Sequence, residues 1–197
     1  VARAFKRKGA RFVARLDEDE RAVVVGLLEQ THALLAPVPR ESTGDAFQDL
    51  VSRLGLPRLK DAGDDTPHAP RDPALERLLP SAHREDPELA AEFRRLTEYG
   101  LRERKAANLA TAISALQDSD GVKVTLDLQQ AQATVVALTD VRLLLGERLG
   151  LRTDDDADAI QDRLEAALED DPQLYRAAYY DFLTWLQESL IQALMGM

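Results

Sequence analysis

Five carboxylates, Asp154, Asp156, Asp158, Asp162 and Glu165, stand at relative positions 1, 3, 5, 9 and 12, the ligand spacing of a calcium-binding EF-hand loop. Oxygens at that spacing can wrap a hard cation, but position 6 must turn sharply and needs glycine; this chain has Ala159 there. Ile160 and Leu164 fit a helix already under way, which would splay the carboxylates. The segment therefore reads as an acid-rich helix start, where negative charge suits the helix macrodipole. Histidine occurs only as His32, His68 and His83, no two at metal-ligand spacing, which disfavours a histidine-rich zinc site. His83-Arg84-Glu85-Asp86 groups an acid and a base, but between two expected helices, where a lone histidine faces solvent. None of Ser42, Ser52, Ser81, Ser114, Ser119 and Ser189 stands in a nucleophile elbow, and the glycines form neither a Walker loop nor a G-x-G-x-x-G turn. There is no cysteine, which removes disulfides, thiolate nucleophiles, iron–sulfur ligation and thiol switches. The expectation is no enzyme, no metal and no cofactor.

Charge is the stronger signal. Asp and Glu number 35 against 25 Lys and Arg, a net −10, which argues against nucleic-acid binding by the whole surface. Yet Arg3, Lys6, Arg7, Lys8, Arg11 and Arg15 fall in the first 16 residues with no acid among them, leaving −16 for the remainder. Three readings stand: a solvated hairpin face offsetting acidic neighbours, an arm touching phosphates, or a patch for an acidic partner protein. No base-reading motif follows. Any DNA contact is therefore weak and indifferent to sequence, with a logarithmic salt slope no steeper than about −5. Asp45 to Gly55 has the pattern of one helix of a helix-turn-helix, but a Pro/Asp-rich stretch follows it, not a recognition helix.

These residues must be held by elements, and the chain spells two of them alike. Residues 11–16 alternate, with Phe12, Ala14 and Leu16 on one face and Arg11, Val13 and Arg15 on the other, the mark of a half-buried strand. Gly9 sits where a hairpin turn leads back to a strand near 3–8. Asp17 with Glu20 then forms a capping box opening a helix that Pro37 and Pro39 stop. The same order returns 110 residues later: Lys123 to Leu126 alternates, and Asp127 with Gln130 repeats the box. Leu16 aligns with Leu126, Val25 with Val135, Leu28 with Leu138 and Leu35 with Leu145. The two strands, 11–16 and 122–126, are expected to pair.

The rest reads as helical. Ser42 or Thr43 caps a helix with Phe47, Leu50, Val51 and Leu54; residues 57–71 read as a mobile loop. Asp72-Pro73 and Asp86-Pro87 each open a helix, the second long and carrying Gly100. Leu138, Val141, Leu145 and Leu149 mark the buried side of the helix after Asp127, which ends near Gly150. Asp158 to Leu168 is a short helix, and Asp171-Pro172 opens the last. That last helix holds Tyr175, Tyr179, Tyr180, Phe182 and Trp185, half of the chain's ten aromatic residues (Trp 1, Tyr 4, Phe 5). Leu183, Leu186, Leu190 and Leu194 add a stripe. Aromatic weight at helical spacing reads first as core. Because apolar residues occupy more than one face, Tyr175, Tyr179, Phe182, Trp185 and Leu186 are also candidates for a homodimer or partner interface. At 197 residues the whole chain, 1–197, reads as one mainly α (α+β) domain: a multi-helix bundle with a two- or three-stranded sheet. No apolar run is long enough to span a membrane and no signal-peptide region opens the chain, so a cytoplasmic protein is expected.

Three stretches carry a resemblance. Asp72-Pro-Ala-Leu-Glu-Arg-Leu-Leu-Pro80 continues through Asp86-Pro87 to Glu92-Phe-Arg-Arg-Leu-Thr97 and Asn108. Leu138-Thr-Asp-Val-Arg-Leu-Leu-Leu-Gly146 is followed by Arg148-Leu-Gly150, and Tyr180-Asp-Phe-Leu-Thr-Trp-Leu-Gln-Glu188 closes the set. With Phe5-Lys-Arg-Lys-Gly9 and Arg15-Leu-Asp17, these resemble the actinobacterial AosR family over nearly the whole chain except 57–71. The resemblance implies an oxidative-stress regulator acting with a sigma factor of RNA polymerase to raise cysteine-biosynthesis transcription. The family is often encoded beside the Clp protease adaptor, so a non-regulatory scaffold or proteolytic adaptor is the alternative. One departure matters: sensing in the characterised branch is attributed to a disulfide, and this chain has no cysteine. Met195 and Met197, the only methionines, are a poor substitute.

Overall fold

A computed structural model describes residues 1–35, 72–80, 87–153, 156 and 172–196. Among them the chain order is β1 (Arg3–Lys8), β2 (Arg11–Arg15), α1 (Glu18–Leu35), α2 (Pro73–Leu78), α3 (Pro87–Gln117), β3 (Lys123–Leu126), α4 (Leu128–Leu149) and α5 (Pro172–Met195). The fold is mainly α with a small sheet, as the patterning predicts. The expected helix after Ser42 or Thr43, the loop 57–71 and the helix Asp158 to Leu168 lie outside the described residues.

The sheet has the order β1-β2-β3, antiparallel throughout. Gly9, at φ +63°, supplies the one left-handed position of the two-residue turn between Lys8 and Arg11, where a β-carbon would be strained. On β2 and β3 the alternation holds. Phe12, Ala14, Val124 and Leu126 are buried, while Arg11, Arg15, Lys123 and Thr125 are exposed. The two strands are direct neighbours, Phe12 opposite Leu126 and Arg15 opposite Lys123, and the Leu16 N–H donates to the Val122 carbonyl at 2.9 Å.

Both capping boxes form. The Glu20 N–H donates to Asp17 Oδ1 at 2.9 Å and the Asp17 N–H to Glu20 Oε2 at 2.8 Å. The Gln130 N–H donates to Asp127 Oδ1 at 2.8 Å and the Asp127 N–H to Gln130 Oε1 at 2.9 Å. Each box turns a strand into a helix at once, so α1 and α4 leave the sheet on its buried side. There Leu28 and Leu35 of α1 meet the same core as Leu138 and Leu145 of α4. Burying each such leucine is worth about 1.5–3 kcal/mol. Helix α3 packs against both α1 and α4, contributing Leu109, Ala112 and Leu116 to the core, and runs unbroken through Gly100. Arg21 of α1 ties the sequence-distant turn between α3 and β3, donating to the carbonyls of Ser119 at 3.0 Å and Gly121 at 2.7 Å. Gly150, at φ +81°, ends α4 in the left-handed cap that the sequence suggests.

Two further elements close the body. Asp72 caps α2 through the Ala74 N–H at 2.9 Å and, with its other oxygen, pairs with Arg148 of α4 at 2.5 Å. Helix α5 lies against α4 and β1, burying Leu183, Leu186 and Leu190. Its Ser189 hydroxyl accepts the Phe5 N–H of β1 at 3.1 Å, so one edge of the sheet is covered by a helix, as exposed strand edges generally must be.

Candidate interaction surface

The pairing of strands sorts the basic residues by face. Residues that are partners across a pair point the same way. Arg3 is the partner of Arg15, Lys6 of Val13 and Lys8 of Arg11; on the other side Arg15 is the partner of Lys123 and Val13 of Thr125. Arg3, Lys6, Lys8, Arg11, Arg15 and Lys123 therefore share the outward face of the sheet, around Val13 and Thr125, and all six cations are exposed. The expected pairing of the two strands brings Lys123 near β2; the register, which the sequence pattern does not give, sets it opposite Arg15.

Arg7 leaves this group. It is opposite the buried Phe12 and so points to the other side of the sheet. Its Nε donates to the Gly9 carbonyl at 3.2 Å. Its guanidinium reaches the end of α5, where a β-carbon on Gly196 would lie 3.9 Å from it. A cation suits the partial negative charge of a helix C-terminus. Between β1 and this end of α5 lies an open groove of about 620 Å³, lined by Phe5, Arg7, Ser189 and Gln192 among others.

The aromatic helix splits as well. Tyr175 is 51% and Trp185 38% exposed, whereas Leu186 is 1% exposed and belongs to the core. Tyr179 and Phe182 are half-buried against that core, and the Phe182 and Trp185 rings stack with centroids 5.9 Å apart. Of the five interface candidates, Tyr175 and Trp185 are the most accessible, and Leu186 serves packing.

The motif residues of α4 and α5 hold a polar core that local spacing does not reveal. Asp140, buried on α4, pairs with Lys105 of α3. Burial pushes its carboxyl upward, only partly offset by the Lys105 ammonium. Two residues on, Arg142 donates to Gln187 Oε1 at 2.7 Å and lies over the Tyr180 ring, 5.1 Å from its centroid. Gln187 in turn donates to the Val135 carbonyl at 2.9 Å and to the Thr139 hydroxyl at 2.6 Å. Asp140 Oδ2 and Arg142 Nε are buried without a partner. Lys105 thus ties α3 to α4, and Gln187 ties α5 to α4.

Of the EF-hand-like carboxylates only Asp156 lies within the described residues. It accepts the N–H groups of Arg152 at 2.9 Å and Thr153 at 2.7 Å, and these donors hold its carboxyl below the usual range. His32 is half-buried in the last turn of α1; His68 and the His83 to Asp86 group lie outside the described residues. Among the described residues no group of three or more His, Cys, Asp and Glu could hold a metal ion, and no helix is long and apolar enough to cross a membrane.

Compared with known proteins, residues 2–194 match the family described as Domain of unknown function (DUF2017). No curated protein and no solved structure matches the chain.

Proposed function

This chain belongs to the DUF2017 family, and we propose that it is a cytoplasmic, transcription-associated regulator working by protein–protein contact with a sigma factor or RNA polymerase. The observation that carries this reading is the outward sheet face, where five cations of the hairpin and Lys123 stand together on a chain of net −10. The motif resemblance to AosR-type regulators names the process: oxidative-stress response and cysteine-biosynthesis transcription. In a cysteine-free member the contact itself, not an internal disulfide, carries the regulation. DNA contact, if it contributes, is to phosphates from the same face.

The test is affinity capture of the tagged protein from an actinobacterial lysate, with identification of co-purifying chains. Enrichment of a sigma factor or RNA polymerase subunits is expected. Enrichment of Clp components instead would favour the second reading, a non-regulatory scaffold or proteolytic adaptor. That reading draws on Trp185 and Tyr175, large aromatic side chains left accessible on α5 and of the type that anchors homodimer or partner interfaces.

A further inference from the structure

We propose that the outward face of the β1-β2-β3 sheet is a docking site for a short acidic segment of a partner protein, with Lys123 as part of it. This assignment of the partner's chemistry rests on the protein-contact function proposed above. The first ground is cost. Like charges directly opposite across strands destabilise a sheet, and this face has three such pairs: Arg3 with Arg15, Arg15 with Lys123, and Lys8 with Arg11. The repulsion is relieved when a negative segment lies over the rows.

The second ground is size and surroundings. Three strands at about 4.8 Å spacing and five residues at about 3.4 Å rise make a patch about 10 Å by 14 Å. Acids flank it along the chain: Asp17 and the first turn of α1 (Glu18, Asp19, Glu20) follow β2, Asp118 and Asp120 precede β3, and Asp127 follows it. Arg11 already leans 3.9 Å from Asp127. A duplex carries one charge per about 1.7 Å of axis and is far longer than this patch, so it would run past the cations onto a body whose net charge is negative. A short acidic segment ends where the cations end. At the centre, Val13 and Thr125 offer β-branched surface to an apolar residue within it.

The experiment uses the full chain and a fluorescein-labelled Glu/Ser peptide of about ten residues, read by anisotropy at low salt and again at physiological salt. Binding is expected, weakening steeply with salt. Lys123→Ser and Arg15→Ser should each weaken it by roughly fivefold, and Arg7→Ser should leave it unchanged although Arg7 is as cationic. Circular dichroism confirms that each variant is folded. Equal losses from Arg7→Ser and Lys123→Ser would overturn the proposal, since any basic residue would then serve. So would a random duplex that displaces the peptide at equal charge concentration. The same variants in the lysate capture separate the two ideas. Retention of sigma factor or polymerase by Lys123→Ser/Arg15→Ser at wild-type level defeats this surface but not the regulator function. Peptide binding by a wild-type protein that captures neither defeats the regulator function but not the surface.

Discussion

Arg15 of β2 and Lys123 of β3 face each other as direct partners across an antiparallel pair. Their side chains leave the same side of the sheet at the closest cross-strand distance, with no carboxylate between them in the row. A pair so placed opposes folding, and its removal tests that directly. Lys123→Thr, which keeps a strand-favouring side chain, should stabilise the protein by about 0.5 kcal/mol. The readout is an upward shift of the urea midpoint at unchanged slope. A fall in midpoint would mean that Lys123 has a stabilising partner elsewhere.

Asp127 closes β3 and opens α4 with one carboxylate. Asp127→Ala removes the acceptor for the Gln130 N–H and should cost about 1 kcal/mol in chemical denaturation. Asp127→Asn keeps an acceptor of the same length and should retain most of that stability. Equal losses would assign the effect to the exposed contact with Arg11 instead, which screening makes weak.

Asp140 gives a pH dependence of defined sign. Burial raises its carboxyl despite Lys105, so the folded protein holds this proton more tightly than the unfolded chain. The contribution is full below the ordinary carboxylate range and is lost as pH rises through the raised value. Compared with Asp140→Asn, which cannot ionise, the wild type should therefore lose ground as pH rises from the ordinary carboxylate range through the raised value. Urea midpoints of both proteins across that span measure it. A gap that moves in favour of the wild type as pH rises would show that the Lys105 pair outweighs burial.

Peroxide should leave the oligomeric state and partner binding of this protein free of any covalent, dithiothreitol-reversible change, because the chain has no cysteine and thiols are the groups that form such links. Intact mass and sizing before and after oxidant provide the check, with partners present only if they too lack thiols.

Much of the architecture was legible because it depends on contacts a few residues apart. The Asp17 and Asp127 boxes each span three residues, and both form with the bonds their spacing predicts. The alternation of Phe12, Ala14 and Leu16 against Arg11 and Arg15 selects the buried face, because side chains on a strand alternate sides whatever lies beside it. Gly9, Gly150 and the Asp-Pro pairs mark where elements turn, begin and end for equally local reasons. The stripe Leu138, Val141, Leu145 and Leu149 is buried as helical spacing requires.

Local spacing does not say what a face meets. Strand register and parity decide how the basic residues divide between the two sides of the sheet. Pairing with β3 adds Lys123 to the outward face, and the parity of β1 turns Arg7 toward the end of α5. Leu186 could equally have served an interface; packing of α5 on the core decides that it is buried while Trp185, one residue earlier, stays accessible. Asp140 sits in an exposed-looking polar position of its motif, yet it lies buried against Lys105, 35 residues away. The sequence by itself determined the two strand–cap–helix units, the helical body and its cysteine-free, acidic character. Only the tertiary structure decided which cations share a face and which polar groups are buried, because those follow from strand partners and helix packing between residues far apart in the chain, which no short-range pattern encodes.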